Sequence, residues 1–162
     1  MNEIMERNEI LQLDNTELNR ICKRETYRVS GPGGQHRNKT ESAIEFYCLQ
    51  YPNIKASATE RRSQEENKRV ALQRLRIKIA LEIREKATPW TGQWNISEHN
   101  PLFPLFIAIL CDALEEYKYS IHEAADFLGI STGQLIHHLK RFPTLWQKVN
   151  QKRMQLNLHV LK

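Results

Sequence analysis

The sequence predicts an α+β protein: a small domain of antiparallel strands packed by one long helix, followed by an all-helical module. Three observations carry this prediction. Two short segments, 42–49 and 54–59, alternate apolar and polar residues as half-buried strands do. A stretch of helical periodicity at 70–83 follows them and contains neither glycine nor proline. Beyond residue 102 the apolar spacing is helical.

The strands of the first domain are predicted from alternation and turn residues. Residues 3–20 favour a weak helix or two short pieces, with a cap at Asp14 to Thr16. Alternation in the second strand puts Ile44, Phe46 and Cys48 on one face. Strands are expected at 25–30, 42–49 and 54–59, the last two joined by a turn at 51–53.

The long helix has a clear predicted start. Ser63 and Glu66 have the spacing of a capping box, with acidic residues in the first turn where the helix dipole favours them. An apolar stripe should cover the sheet, formed by Leu72, Leu75, Ile79 and Ile83. The basic residues Arg69, Arg76 and Lys78 fall off that stripe, and the helix is expected to end at Pro89.

The sequence of the second half predicts a set of helices with a core of their own. Helices are expected at 105–117 and 145–158, with a hairpin over 120–142 between them. Ala125, Gly129, Ile130 and Leu135 have the spacing of a helix-turn-helix motif, and an ordinary helical hairpin is the alternative. The predicted core comprises Phe103, Phe106, Ile109, Leu114, Phe127, Leu128, Leu139, Trp146 and Leu156.

Some side chains of this half allow two interpretations. In a true helix-turn-helix, contacts with RNA, DNA or a partner protein would come from Thr132, Gln134, His137, His138, Lys140 and Arg141. The two histidines are expected to be exposed helix residues and not metal ligands, because no carboxylate or cysteine falls at ligand spacing. Trp90 and Trp94 are expected to be packing anchors.

Charge favours a polyanionic partner. The 162-residue chain has a formal net charge of +5. Residues 27–88 carry 13 basic and 7 acidic groups, and residues 120–162 carry 6 and 2. Two basic blocks are thus separated by an acidic spacer, which favours nucleic acid.

Cysteine usage and the N-terminus favour a cytoplasmic protein. The three cysteines, Cys22, Cys48 and Cys111, are odd in number and widely spaced, so we expect buried small apolar residues and neither a disulfide framework nor a zinc site. The N-terminus is charged from Glu3 and does not resemble a signal peptide. The longest apolar run, 102–111, is about half a membrane span, so no membrane association is expected.

The stretch SGPGGQHRNKTESA, residues 30–43, places one glutamine after a glycine turn. A flexible hairpin tip is the simplest interpretation. A phosphate-binding loop is disfavoured, because Asn38 stands where that motif needs its last glycine. The third interpretation is catalytic. Gly33 and Gly34 permit positive φ and close backbone approach, a backbone N–H can stabilise an oxyanion, and the Gln35 side chain can hold water.

The stretch resembles the GGQ motif of class-I peptide chain release factors, whose signature is S-G-x-G-G-Q-H-x-N-K-x-x-S-A. A second segment, ATERRSQEENKRVAL at 58–72, resembles the next block of that family, in the same order and spacing. Together with the connecting strands, the resemblance covers roughly residues 18–88. It implies domains at 18–88 (GGQ catalytic domain) and 102–162 (helical module), with an N-terminal segment at 1–17 and a linker at 89–101.

The resemblance implies an enzyme that acts with the ribosome to hydrolyse the ester between nascent peptide and P-site tRNA, with no cofactor or metal. The implied catalytic residues are Gly33, Gly34 and Gln35, and Gln35 is also the candidate for N5-methylation by a glutamine methyltransferase. Contacts with large-subunit rRNA are implied for Ser30, Gly31, His36, Arg37, Asn38, Lys39, Arg61, Arg62, Lys68 and Arg69.

No segment resembles the codon-reading domain of full-length factors. We therefore expect a short, codon-independent release or rescue factor, which acts alone or with a codon-reading or rescue partner. The alternative is a regulator that binds rRNA or DNA through the C-terminal helix-turn-helix and keeps a non-catalytic GGQ domain. A Gln35 variant distinguishes the two, since only the first function loses peptide release.

Overall fold

A computed structural model describes residues 3–28 and 43–162. The chain divides into two compact units, Met1–Ile83 and Arg84–Lys162, which we call the first and second unit. The described residues form three strands and seven helices, which confirms the α+β class. The predicted domain limits at 18–88 and 102–162 stay predictions.

The first unit opens with two short helices, α1 (Arg7–Gln12) and α2 (Asn15–Arg20). They confirm the expectation of two pieces in residues 3–20. Asp14 begins α2: its carboxylate accepts a hydrogen bond from Glu17 N at 2.8 Å, and the Glu17 carboxylate accepts from Asp14 N at 3.0 Å. This reciprocal cap starts a second helix immediately after the first one ends.

Three antiparallel strands form a sheet in the order β1 (Cys22–Tyr27), β2 (Ala43–Cys48) and β3 (Lys55–Ala58). The alternation predicted for β2 is confirmed, because Ile44, Phe46 and Cys48 are all fully buried. The predicted turn at 51–53 is also present, with Ile54 N donating to Tyr51 O at 2.8 Å. β1 begins earlier than the predicted residue 25.

The long helix α3 (Gln64–Glu82) packs on β2 and β3. Ser63 caps it as predicted, since its hydroxyl accepts a hydrogen bond from Glu66 N at 3.3 Å. The stripe residues Leu72, Leu75 and Ile79 are fully buried, which confirms the predicted face. The prediction that the helix ends at Pro89 is wrong, because Ile83 already has an extended conformation.

Arg76 was predicted only to fall off the apolar stripe of α3, and the structure adds that it is not solvated. Arg76 is buried, and its Nη2 donates to Leu13 O at 2.9 Å. The cause is that α1 and α2 pack against α3 and cover this side. A second guanidinium, that of Arg7, is fully buried and donates to Ile83 O at 2.8 Å.

The second unit contains four helices: α4 (Phe103–Glu116), α5 (Ile121–Leu128), α6 (Thr132–Lys140) and α7 (Pro143–Gln155). Ser120 and Ser131 cap α5 and α6 through their side chains. Gly129 ends α5 with φ 73°, a left-handed conformation that glycine adopts without strain. The first and last helices each begin two residues before the predicted position, with prolines in their first turns.

An aromatic cluster fills the core of the second unit. The Phe106 ring lies 5.3 Å from Trp90 and 5.8 Å from Trp94, and Phe103 lies 4.5 Å from Phe142. The expected packing role of the two tryptophans is thereby confirmed. Gly92 is required here, because a Cβ at that position would come within 2.3 Å of the Trp90 ring.

Most of the predicted core of this unit is buried, with three exceptions. Leu156 is 48 % exposed, so its assignment to the core is wrong; it follows the last helical residue of α7. Phe127 and Trp146 are half-buried. The other six predicted core residues are Phe103, Phe106, Ile109, Leu114, Leu128 and Leu139, and all are buried.

The turn between α4 and α5 contains two successive residues in the left-handed region, Lys118 at φ 52° and Tyr119 at φ 62°. Such a conformation costs a non-glycine residue about 1 to 2 kcal/mol. Two hydrogen bonds hold the backbone of Tyr119. Its N donates to Leu114 O at 2.7 Å, and its O accepts from the side-chain Nη1 of Arg153 on α7. The turn therefore depends on a contact from the last helix.

The cysteines depart from the expectation in one respect. Cys48 and Cys111 are buried as predicted, whereas Cys22 is only half-buried. Cys22 and Cys48 are direct partners in the β1–β2 register, although 25 residues separate them in the sequence. Sequence spacing alone did not indicate this pairing, because it depends on how the strands align.

Candidate active site and RNA interface

The predicted catalytic residues Gly33, Gly34 and Gln35 lie outside the described residues. The same holds for the predicted RNA contacts Ser30, Gly31, His36, Arg37, Asn38 and Lys39. The structure describes the strands on either side of them, where Tyr27 and Ala43 are register partners. Both strand ends that flank this segment therefore lie at the same end of the β1–β2 pair.

The two flanking strands are held to different degrees. On β2, Ala43 and Ile44 are fully buried. On β1, every residue after Cys22 is exposed, and β1 is an edge strand of the sheet. The strand that follows the glycine motif is thus fixed by the core, whereas the strand before it is fixed mainly by its ladder with β2.

The outer face of this sheet carries a charged network around Tyr47. The Tyr47 hydroxyl donates to Glu45 at 2.5 Å, and this hydrogen bond to a carboxylate raises the pKa of Tyr47 to about 12. Lys55 and Lys23 lie over the ring, 5.5 Å and 5.9 Å from its centroid. Lys23 also pairs with Glu25 at 2.9 Å and thereby lowers the pKa of that carboxyl. Much of the basic charge on this face is therefore paired within the protein.

Arg61 lies in a turn whose backbone is bound by a buried side chain. Asn67 is fully buried; its Oδ1 accepts from Arg61 N at 3.0 Å, and its Nδ2 donates to Arg61 O at 2.9 Å. The Arg61 side chain itself is exposed. Asn67 thus fixes the backbone from which a candidate RNA-binding cation extends. Sequence reasoning missed this residue, although a buried amide at the start of a helix is a typical turn-binding group.

The neighbouring ion pair has a different role. Arg74 donates to both carboxylate oxygens of Glu60 and also to Ser57 O at 2.9 Å. This contact with the guanidinium lowers the pKa of Glu60 to about 2. The pair joins β3 and the Arg61 turn to α3, so Arg74 has a structural role within the first unit.

The remaining predicted RNA contacts of the first unit lie close to this turn. Arg62 precedes α3, and Lys68 and Arg69 lie in its N-terminal half. Arg62 and Arg69 are exposed, and Lys68 is half-buried. The structure therefore presents three arginines to solvent in one short stretch, Arg61, Arg62 and Arg69.

In the second unit, four of the candidate contact residues are exposed on α6. They are Thr132, Gln134, His137 and Lys140. Gln134 also closes a capping box, because its Oε1 accepts from Ser131 N at 2.9 Å and its N donates to Ser131 Oγ at 3.1 Å. The Lys140 ammonium lies 5.4 Å from the Trp146 ring centroid.

The expectation that both histidines of α6 are exposed is correct for His137 and wrong for His138. His138 is 8 % exposed, and its ring lies 5.2 Å from Trp94 and 5.7 Å from Phe106. Burial lowers its pKa, and the positive charges of His137 and Arg141 act in the same direction. Packing in the aromatic core explains the difference.

Arg141 is half-buried and contributes to the same unit. Its Nη2 donates to Ile96 O at 3.0 Å, and its guanidinium lies 5.4 Å from the Phe142 ring centroid. The guanidinium thus holds the segment before α4 against the end of α6. Of the candidate contacts on this surface, Thr132, Gln134, His137 and Lys140 are the exposed ones.

None of the helices in the described ranges combines the length and the apolar character needed to cross a bilayer.

Comparison with known proteins gives one family. A model of the RF-1 domain matches residues 9–97. Peptide chain release factor 2 of Neorickettsia sennetsu is 40 % identical over 77 residues, which are 47 % of this chain and 21 % of that protein. Peptide chain release factor 1 of Malacoplasma penetrans is 42 % identical over 71 residues, 42 % of this chain and 20 % of the relative.

A third relative, peptide chain release factor 2 of Thermotoga maritima, is 46 % identical over 65 residues, 40 % of this chain and 17 % of its own length. The chain thus spans about a fifth of the length of the curated relatives it matches. No solved structure matches the chain.

Proposed function

Because the chain belongs to the class-I peptide chain release factor family, we propose that it acts in translation and promotes hydrolysis of the ester between nascent peptide and P-site tRNA on the ribosome. The observation that carries this proposal is the family match over 9–97, which contains SGPGGQ at residues 30–35. The relatives' names state peptide chain release. The proposal extends that activity to this chain.

In the proposed mechanism the backbone of the glycine motif supplies the chemistry. The N–H of Gln35 stabilises the oxygen that gains negative charge as water attacks the ester. Gly33 and Gly34 allow the backbone to approach the ester closely. The Gln35 side chain selects water as the nucleophile, and its N5-methylation by a glutamine methyltransferase is part of the proposal.

The described residues support this mechanism by positioning. The register pair Tyr27 and Ala43 puts both flanking strand ends at one end of the hairpin. Asn67 fixes the Arg61 turn, from which exposed guanidinium groups can reach rRNA phosphates. We propose that Arg61, Arg62, Lys68 and Arg69 dock the first unit on the large subunit, together with Ser30, Gly31, His36, Arg37, Asn38 and Lys39.

We further propose that the protein acts without reading a codon itself, as a rescue factor or beside a partner that reads the codon. The second unit would then supply recognition of the ribosome or of that partner. Six lysines and arginines follow Asp126, and no acidic residue does. Lys140 of α6 is one of them and is exposed, which favours a contact with RNA.

The test is release of labelled peptide from ribosomes stalled with and without mRNA in the A site. Gly34→Ala should abolish release, because an added Cβ would block the close backbone approach to the ester that we propose. Gln35→Ala should be milder, since its backbone N–H remains. Gly133→Ala on α6 is the matched control, because a Cβ there meets its nearest atom at 3.9 Å. Release by Gly34→Ala at the wild-type rate would refute the proposal.

A second measurement tests the RNA interface. Binding to the large subunit should weaken steeply with salt, because each neutralised phosphate adds roughly −0.7 to −0.9 to the log–log slope. Replacing Arg61 and Arg62 by alanine should flatten the slope by about one to two. Lys78→Ala is the control, since Lys78 Nζ donates to Lys55 O at 2.8 Å within the fold. An unchanged slope in the double variant would contradict the interface.

A second candidate function is binding of rRNA or DNA by a regulator that uses α5 and α6, with a non-catalytic glycine motif. The exposed Thr132, Gln134 and Lys140 and the basic C-terminal third favour it. Under this alternative, Gly34→Ala and Gln35→Ala leave activity in the cell unchanged, whereas Lys140→Ala weakens nucleic-acid binding.

A further inference from the structure

Two thiols face each other across β1 and β2. Cys22 and Cys48 are register partners. The next pair along the ladder, Ile21 and Leu49, is hydrogen-bonded through Leu49 N to Ile21 O at 3.2 Å. Because hydrogen-bonded and non-hydrogen-bonded pairs alternate in an antiparallel ladder, Cys22 and Cys48 form a non-hydrogen-bonded pair. In such pairs the side chains come closest.

The backbone on the other side of Cys48 leads to the same assignment. Cys48 N donates to Ile54 O at 3.2 Å, so its backbone polar groups face β3 and not β1. Non-hydrogen-bonded partners have Cα atoms about 4.5 Å apart, and disulfides span Cα separations of about 4.4 to 6.8 Å. A bond between the two sulfurs therefore fits the ladder and breaks none of its hydrogen bonds.

The two sulfurs already interact. The Cys22 thiol hydrogen-bonds to Cys48, which lowers the pKa of Cys48 to about 6, and the backbone N–H groups of Tyr51 and Gln50 act in the same direction. The same hydrogen bond, with burial, raises the pKa of Cys22. When the pair loses one proton, the negative charge is therefore favoured on Cys48. Cys48 is fully buried and Cys22 half-buried, so the pair has one accessible sulfur and one protected sulfur.

We propose that Cys22 and Cys48 form a reversible modification site, at which a small-molecule disulfide such as oxidised glutathione converts the pair into an intramolecular disulfide. This inference is independent of peptide release. It assigns the half-buried Cys22 as the thiol that reacts first and the buried Cys48 as the thiol that resolves the intermediate.

The chemistry balances with the small-molecule disulfide as oxidant. Cys22 sulfur attacks it and forms a mixed disulfide; the proton of Cys22 passes to Cys48, and one small-molecule thiolate leaves. That thiolate then takes the proton from Cys48, and Cys48 sulfur attacks the sulfur of Cys22. The second small-molecule thiolate leaves. From the pair with one proton, the two protein sulfurs are oxidised by two electrons, and the small-molecule disulfide is reduced to one thiol and one thiolate.

The bond would close the end of the β1–β2 pair remote from Tyr27 and Ala43. A disulfide between Cys22 and Cys48 would enclose the 25 residues that separate them. Such a bond stabilises the fold by restricting the unfolded chain. The oxidised protein should therefore melt several degrees higher than the reduced protein, and the gain should belong to the first unit.

The experiment uses the full chain in glutathione buffers of graded redox ratio, followed by trapping of free thiols and tryptic mass spectrometry without reduction. We expect peptide 21–23 joined to peptide 40–55, with the loss of two hydrogens. In folded protein the cross-link should form at a ratio of oxidised to reduced glutathione at least tenfold lower than the ratio needed in protein unfolded in urea.

Three variants make the result specific. Cys111→Ser should leave the cross-link and the melting shift unchanged, whereas Cys22→Ser and Cys48→Ser should abolish both. In Cys48→Ser, glutathione should stay attached to Cys22, because the resolving thiol is absent. Absence of the 21–23/40–55 cross-link in folded wild type, or its formation only in urea, would overturn the proposal. So would equal cross-linking of Cys111.

Discussion

The two units solve the same packing problem with different residues. In the first unit the buried residues of α3 and the sheet include several alanines, among them Ala56, Ala58, Ala71 and Ala80, which are at most 3 % exposed. In the second unit the core is a cluster of aromatic rings around Phe106. Small side chains let a helix lie close to strands, whereas rings bury more apolar area per residue.

The units also treat buried charge differently. In the first unit the buried cations Arg7 and Arg76 donate to backbone carbonyls. In the second unit a buried anion, Asp112, accepts from Arg84 Nη1 and from Glu85 N, both at 3.1 Å. The first unit thus uses guanidinium groups to hold backbone segments in place, and the flanking strands of the glycine motif belong to that unit. The buried guanidinium groups thus lie in the first unit, and the buried carboxylate lies in the second.

The largest expected effect tests whether the two cores are separate. Phe106→Ala and Phe46→Ala should each lower the free energy of unfolding by about 3 to 5 kcal/mol, because each removes a fully buried ring. Hydrogen exchange followed by mass spectrometry should show lost protection only in the unit that carries the change. Phe127→Ala, at a half-buried position, should cost less. Equal loss across both units would contradict the division at Ile83.

A smaller effect tests how firmly Asn67 holds the Arg61 turn in the first unit. Asn67→Ala removes both hydrogen bonds to the Arg61 backbone and should cost about 1 to 3 kcal/mol in urea unfolding. Gln151→Ala, at an exposed amide on α7, should change stability by less than about 0.5 kcal/mol. If Asn67→Ala matched that control, the buried amide would not hold the turn.

The smallest expected effect is on the stability of the second unit at acidic pH. His138 has a lowered pKa in the folded protein, so the unfolded chain binds its proton more tightly. Stability of the second unit should therefore be full above the ordinary histidine value of 6.5 and should fall as pH drops below it. His138→Phe should flatten this dependence between about pH 7 and 5, and His137→Gln should keep it. Unfolding midpoints at a series of pH values measure the difference, and an unchanged slope in His138→Phe would contradict the assignment.

Local patterns predicted the elements well. The Ser63 cap, the alternation in β2 and the stripe on α3 each depend on a few neighbouring residues, so the sequence contains all the information needed. The same holds for the serine-capped helices of the second unit. The family resemblance likewise rests on contiguous residues, and the RF-1 match over 9–97 confirms it.

What the sequence did not reveal depends on contacts between distant segments. The burial of Arg76 was not predicted, because the pattern of α3 does not show that α1 and α2 cover its polar side. Cys22 and Cys48 looked unrelated because strand register decides which residues meet. His138 looked exposed because the ring that buries it, Trp94, belongs to a segment without regular structure. In each case the missing information was which element lies opposite.

The left-handed turn at Lys118 and Tyr119 bears on the order in which this protein can fold as it is synthesised. Arg153, which donates to Tyr119 O, lies 34 residues later in the chain. While a ribosome is making this protein, the strained turn must wait for most of α7 to leave the exit tunnel before its carbonyl is satisfied. The first unit ends at Ile83, so all of its residues leave the tunnel before α7 does. Vectorial synthesis should therefore finish the strand-and-helix unit first and the aromatic unit last.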